Sequence, residues 1–290
     1  MIICIVGPTG VGKTKLSIEL AKRMNGEVIN CDSTQVYREL DIATAKISKS
    51  EMDGVIHHLL DIKNIDEDYT VYDYQKDCRL VIDDILSRGK VPIMVGGTGL
   101  YIKASLYDYK FEDESIKNDY SKYSNIELYE KLKEIDNDTL IHVNNRKRIE
   151  RALDYYYNHG KIMDNKTDKL LYDCVFIGLT TDRDILYERI NNRVDMMINN
   201  GLIDEAKKIY DSNIRSKAVM TPIGYKELFP YFEGVKTLDE CIDLIKQNSR
   251  KYAKRQYTWF NNQMTVKWFN VDFNNFLNTI NEVINYIEHV

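Results

Sequence analysis

The stretch from Ile2 to Thr14 limits the fold more than any other part of the chain. Five apolar residues, Ile2-Ile3-Cys4-Ile5-Val6, run without a polar break into Gly7-Pro8-Thr9-Gly10-Val11-Gly12-Lys13-Thr14. An unbroken apolar run of this length suits a strand buried on both faces, and the spacing that follows suits a helix beginning near Lys13. The eight residues fit G-x-x-x-x-G-K-[ST], in which glycines let backbone N–H groups turn inward around an anion. The start of the helix adds partial positive charge at the same point. Lys13 brings a point charge and Thr14 a hydroxyl for Mg²⁺. A phosphate or diphosphate site is therefore predicted where the first strand ends.

Further strands are predicted over residues 27–32 (EVINCD), 91–97 (VPIMVGG), 174–180 (CVFIGLT) and 265–272 (TVKWFNVD). Helices are predicted over 71–88, from Asp182 onward, and from Lys236 to about Phe260. Strands alternating with helices imply a mostly parallel sheet covered on both faces, an α/β fold with a P-loop NTPase-like core. Residues from about 105 to 173 are rich in Tyr, Lys, Asp and Asn and hold no strong strand pattern. They read as a helical insertion, leaving 1–104 and 174–290 as the core. Within that core, 195–250 are helical and suited to a mobile flap.

Composition excludes some classes. No apolar run approaches the roughly 18–20 residues needed to cross a bilayer. The opening has no basic leader and runs straight into the phosphate loop, so it does not read as a signal peptide. Five cysteines are scattered without a C-x-x-C pair, which argues against zinc or disulfide frameworks and fits a reducing cytoplasm. A net charge of −5 is a weak guide to nucleic-acid binding, because patches matter more than sums. His57-His58 lack a third ligand at useful spacing, and packing explains them better than metal binding.

Several residues carry chemistry by their type and place. The strand at 91–97 ends in Gly96-Gly97-Thr98-Gly99 rather than an acid, so the usual Walker B carboxylate of nucleotide hydrolysis is missing there. Asp83-Asp84 fall inside a helical stretch, as a solvated face would. Asp32 closes the second strand, where open α/β sheets bind their ligands. It is placed either to act as a general base or to cap the next turn. Gln35 has an amide suited to an adenine edge. Glycines 96–99 permit close approach of a ligand, and Thr98 can bond a substrate oxygen, or the segment is a plain turn. Two basic clusters, Arg146-Lys147-Arg148 with Arg151 and Arg250-Lys251 with Lys254-Arg255, suit RNA, a diphosphate or a solvated helix face.

Taken together, the motifs resemble the tRNA dimethylallyltransferases, also called isopentenyltransferases. The matching segments are G-P-T-G-V-G-K-T at 7–14, D-S-T-Q-V-Y at 32–37, H-H-L-L-D-I at 57–62 and G-G-T-G-L-Y at 96–101. They continue with R-I-E-R-A-L-D at 148–154, G-L-I-D-E-A at 201–206, I-G-Y-K-E at 223–227 and Y-A-K-R-Q-Y-T-W-F at 252–260. Val143, Asn145 and Asp154 depart from the family's usual Pro, Asp and Glu. The resemblance implies transfer of a dimethylallyl group from dimethylallyl diphosphate to N6 of adenosine 37 in tRNAs reading codons that begin with U. Mg²⁺ is implied as cofactor, tRNA as partner, and a monomer in the cytoplasm as the working form.

The resemblance also implies a role for each site residue. Asp32 takes the N6 proton, Thr98 aligns the donor and Lys13 steadies the leaving group. Gly7 through Thr14 and Arg255 hold the diphosphate, Thr14 with the metal. Asp32, Ser33, Thr34, Gln35, Thr98 and Lys147, Arg148, Ile149, Glu150, Arg151 meet the tRNA, to which the insertion contributes. The rival readings are a small-molecule kinase on the same scaffold, a GTPase-like switch and a prenyltransferase of free adenine nucleotides. The missing strand-end acid weighs against the first, and the absence of N-K-x-D against the second.

Overall fold

Alternation along the first strand decides where the core lies. In β1 (Ile2–Val6), Ile2, Cys4 and Val6 face one apolar layer while Ile3 and Ile5 face another, as a period of two requires. The structure is a computed structural model and describes residues 1–111, 117–162 and 169–290. After β1 come α1 (Lys13–Arg23), β2 (Gly26–Asn30), β3 (His57–His58), α2 (Val71–Ser87), β4 (Val91–Val95) and α3 (Gly99–Leu106). Then follow α4 (Asn125–Ile135), α5 (Arg146–His159), β5 (Cys174–Thr180), α6 (Arg183–Asn199), α7 (Leu202–Asp211) and α8 (Lys217–Met220). The chain ends with α9 (Phe229–Phe232), α10 (Leu238–Gln263), β6 (Lys267–Asn270) and α11 (Phe276–Glu288). Among the described residues the strands form one sheet in the order β3-β2-β4-β1-β5-β6, and every pairing is parallel.

The chain packs as two units, Met1–Tyr107 with Leu170–Val290, and Asp108–Lys169. The larger unit buries its sheet on both faces. One layer takes Leu16 and Leu20 of α1 and Ile280 and Val283 of α11. The other takes Tyr74, Cys78 and Ile82 of α2, Leu202 and Ala206 of α7, and Phe260 of α10. Residues 195–250, which the sequence suits to a flap, thus contribute buried side chains to the second layer. In the smaller unit, Tyr120, Leu128, Leu132, Ile149 and Leu153 form a separate core. There Asp154 Oδ1 accepts from Asn118 N at 3.0 Å and Tyr120 OH at 2.9 Å. Asp154 thereby ties α5 to the segment before α4, which gives the residue that departs from the family's Glu a structural job.

Three differences from the sequence reading have local causes. β2 ends at Asn30, two residues before Asp32, because Asn30 folds back: its Nδ2 donates to Asp32 O at 3.1 Å and its Oδ1 accepts Asp32 N at 3.1 Å. β3 is only two residues long and carries no periodicity to read. α11 has Phe276, Ile280, Val283 and Ile287 at helical spacing, a signal that the sequence reading leaves unused.

Glu27, on β2, is a buried charge held by cations from outside. Its side chain is 2% exposed. It accepts from Arg88 Nη2 at 2.8 Å and Lys90 Nζ at 2.7 Å, and lies 2.7 Å from His58 Nε2. The Arg88 guanidinium, aided by Lys90 and His58, overcomes burial and holds the Glu27 carboxyl well below the usual carboxylate range. Its stabilisation is therefore fully present above the unfolded value near 4.3 and fades as pH falls below it toward the lower folded value. Replacing Glu27 by Gln is expected to cost about 2 kcal/mol at neutral pH, less than a fully buried pair because the cations are partly solvated. Chemical denaturation at pH 7 and pH 3.5 checks this, since the penalty must shrink at the lower pH.

Candidate active site at the phosphate loop

The loop between β1 and α1 can turn because Gly10 and Gly12 take φ of +87° and +95°. Gly12 also lies against Phe276, where a Cβ would sit 2.8 Å from the ring. Lys13 curls back over the loop, its Nζ donating to Gly7 O at 2.9 Å and Pro8 O at 2.7 Å. Two helices close on the same loop. From α10, Gln256 Oε1 accepts Thr9 N at 2.9 Å while its Nε2 donates to Gly97 O at 3.2 Å. From α6, Arg189 Nε donates to Gly10 O at 3.0 Å and Arg193 Nη1 to Thr9 Oγ1 at 3.3 Å. Burial, then Arg193, push Lys13 down to about 7, with Asp32 opposing. Arg193 is likewise lowered by burial and supported by Asp32. Three charged groups thus crowd one spot, two positive and one negative, an arrangement that an incoming anion would relieve.

Asp32 serves two readings at once. Its Oδ1 accepts Thr34 N at 2.9 Å and Thr34 Oγ1 at 2.7 Å, which is the capping turn. No hydrogen bond reaches Oδ2 among the described residues, and the side chain is only half-buried. One oxygen fixes the carboxylate while the other stays open toward the loop's cations. Thr98 Oγ1 accepts Ser33 N at 3.1 Å and meets Ser33 Oγ at 3.3 Å, so β2 and β4 present Asp32 and Thr98 side by side. Tyr252 lies beside Thr98 and Gln256, and burial first, then the charge of Asp32, raise its phenol.

For the turn at 96–99, the sequence leaves open a ligand approach or a plain turn, and the structure favours the turn. A Cβ on Gly96 would overlap the Cys31 carbonyl, one on Gly97 would overlap Gln256, and one on Gly99 would overlap Trp259. The glycines admit the protein's own neighbours. Gln35 is also engaged: its Nε2 donates to Thr44 O at 2.9 Å, leaving the amide oxygen to read a ligand. A small open pocket beside it is lined by Thr14, Asn30, Gln35, Ala45, Ile47 and His57 among others. His57 Nδ1 lies 2.9 Å from Val55 O, a carbonyl that can only accept, so the proton sits on Nδ1. Its Nε2 is buried without a hydrogen bond among the described residues.

Arg255 does not join the loop in this structure. It is exposed and stacks over Tyr252, 5.6 Å from the ring centre. Residues the sequence reading missed take that place, Arg189 and Arg193 from α6 and Gln256 from α10. The signal for the arginines was present, since positions four apart on a helix share a face. Nothing marked Gln256 apart from its neighbours. In the smaller unit, Lys147, Arg148 and Arg151 are exposed on α5. Ile149 has to be withdrawn as an RNA contact, because it is fully buried in that unit's core. Glu150 is occupied by Arg146 at 2.7 Å. Among the described residues, no cluster of three or more His, Cys, Asp or Glu could hold a metal, and no helix is long and apolar enough to cross a membrane.

Comparison with known proteins gives a consistent picture. A family model described as IPP transferase matches residues 35–263. The chain is 50% identical to a tRNA dimethylallyltransferase of Anoxybacillus flavithermus, over 99% of this chain and 96% of that protein. It is 49% identical to one of Bacillus pumilus, over 93% and 89%. Among solved structures, the full-length tRNA isopentenylpyrophosphate transferase of Bacillus halodurans superposes with a TM-score of 0.78 at 47% identity, covering 99% of this chain and 95% of that one. A eukaryotic dimethylallyltransferase acting on tRNA superposes with a TM-score of 0.81 at 32% identity, covering 93% and 73%.

Proposed function

Because the chain belongs to the IPP transferase family, we propose that it moves the dimethylallyl group of dimethylallyl diphosphate onto N6 of adenosine 37, in tRNAs reading codons that begin with U. It works as a monomer in the cytoplasm. The observation that carries this reading is the half-engaged Asp32 carboxylate beside Lys13 and Arg193 at the phosphate loop. In the reaction the allylic C–O bond breaks, the C–N6 bond forms, the electron pair leaves with diphosphate, and the N6 proton passes to Asp32. Lys13, Arg193 and the loop N–H groups oppose the charge that grows on the leaving oxygens. Thr98 would align the donor and Gln35 the adenine. The base must leave its stack to reach this point, at a cost of a few kcal/mol.

The residues suit Mg²⁺ of the kind held mainly by its substrate. Thr14 offers an exposed hydroxyl at the start of α1, and such ions keep several waters and take few protein ligands. When bound, the ion would add positive charge against the diphosphate.

The direct test incubates the protein with Mg²⁺, dimethylallyl diphosphate and unmodified tRNA, then digests the RNA and analyses nucleosides by mass spectrometry. Prenylated adenosine at position 37 is expected, without ATP. Consumption of ATP with no prenylated adenosine would point to the kinase reading instead. Lys147, Arg148 and Arg151 are proposed to meet the tRNA backbone. Changing all three to Ala should weaken tRNA binding and flatten its salt dependence, by roughly 0.7–0.9 in log–log slope for each phosphate left without its cation. Filter binding from low to moderate salt checks this, and an unchanged slope would remove them from the interface.

A further inference from the structure

Two of the chain's motifs, G-L-I-D-E-A at 201–206 and I-G-Y-K-E at 223–227, make no side-chain hydrogen bond to the phosphate loop or Asp32 among the described residues, yet they converge on one short loop, residues 41–46. Glu205 of α7 points its carboxylate at three successive backbone N–H groups of that loop. Oε2 accepts Asp41 N at 3.2 Å and Ile42 N at 2.8 Å, and Oε1 accepts Ala43 N at 3.1 Å. Consecutive N–H groups of this kind form a concave anion site, filled here from within. Tyr225 OH donates to Glu205 Oε1 at 2.7 Å. Gly224, with φ of +127°, lies against Ala43, where a Cβ would come within 2.9 Å. Glu227 holds Gly224 N at 2.9 Å and accepts Asn248 Nδ2 at 3.0 Å.

The next residues of the gripped loop set the reading side chain. Thr44 O accepts Gln35 Nε2 at 2.9 Å, and Ala45 O lies 3.4 Å from the same nitrogen. With its donor fixed there, Gln35 has only its amide oxygen left for a ligand. Ala45, Ile47 and Gln35 also line the cavity beside Thr14.

The geometry points to Glu205 as a positioning residue that sets the acceptor-reading orientation of Gln35 by clamping residues 41–43. This rests on the transferase reading above, and assigns the 201–206 and 223–227 motifs to acceptor placement rather than to the diphosphate. A misplacement of about 1 Å by a remote residue can lower a rate about 100-fold. Glu205→Gln keeps the shape but turns an amide NH₂ toward backbone N–H groups. It is expected to lower kcat/KM for an unmodified anticodon stem-loop by about that factor, while the Kd for inorganic diphosphate with Mg²⁺ stays unchanged. The deciding measurement is a double-mutant cycle with Gln35→Ala. If Glu205 acts through Gln35, adding Glu205→Gln to Gln35→Ala costs little further. Fully additive losses, or a weakened diphosphate Kd alongside the slower transfer, overturn the assignment. Should Glu205→Gln fold poorly, Tyr225→Phe, which removes one hydrogen bond from the same carboxylate, goes through the same cycle. A wild-type protein that prenylates no tRNA overturns the transferase reading and this one together; an active wild type with an additive cycle overturns only this one.

Discussion

Asp32→Asn is expected to lower prenyl transfer by about 10³-fold while leaving diphosphate binding intact. The size follows from the 10²–10⁴-fold that a placed general base contributes. The choice of Asn separates the two jobs of the residue. An Asn oxygen can still accept Thr34 N and Thr34 Oγ1, as Asp32 Oδ1 does at 2.9 and 2.7 Å, and Asn caps turns as well as Asp does. The turn, and with it the Ser33–Thr98 contact at 3.1 Å, should therefore persist. What is lost is the second oxygen's capacity to take a proton. Loss of the negative charge removes a field that supports protonated Lys13 and Arg193, but it also removes a repulsion toward the anion, and the two effects on diphosphate binding oppose each other. Single-turnover transfer with saturating donor isolates the chemical step. A rate within a few-fold of wild type would leave Asp32 as a cap and nothing more.

How far the site could be read in advance depended on whether a residue's chemistry is local. The phosphate loop was legible because its geometry is written within eight consecutive residues and the strand and helix that flank them. Asp32 was legible as a position, since strand ends at the sheet's carboxyl edge gather ligands, but not as a split carboxylate, because Thr34 and Asn30 decide that by folding back on it. Gly96, Gly97 and Gly99 left two readings open for a physical reason. A glycine shows only that something comes close, and here the close neighbours are Gln256 and Trp259, more than 150 positions away in the chain. Arg255 and Gln256 adjoin on α10, yet one is exposed and the other buried. That difference is set by the helix's rotation against the sheet, which periodicity fixes only to within about a residue. Ile149 sat among basic neighbours, and its burial is visible in the spacing to Leu153, four residues on along the same helix face. The Glu205 clamp joins positions about 160 apart, and no single-sequence pattern announces it.

Arg193→Ala should weaken binding of inorganic diphosphate with Mg²⁺ by on the order of 100-fold, about 3 kcal/mol, the usual cost of truncating one member of a desolvated charge contact. Arg255→Ala should cost far less, because that side chain lies exposed over Tyr252. The pair of measurements decides which arginine serves the loop. A pH series adds a second, independent reading. Lys13 must be protonated to oppose the anion, and burial with Arg193 has pushed it down to about 7. Below that value the free protein already carries the charge. Above it, binding has to draw a proton from solvent, so affinity should fall as pH rises, by up to about tenfold per unit. Diphosphate itself ionises within this range, so the affinity at each pH is referred to that of Lys13→Met at the same pH, which carries the ligand's ionisation but not the lysine's. Removing Arg193 takes away a cation that lowers Lys13, so the midpoint of this fall should move upward even as the overall affinity drops. Burial, the larger cause, remains, so the midpoint should stay below that of a solvated lysine. Calorimetric titration at several pH values measures both effects. A loss of affinity with the midpoint unmoved would mean that Arg193 acts on the diphosphate alone and that its field does not reach Lys13. A midpoint that rises with no loss of affinity would mean that the guanidinium never touches the ligand.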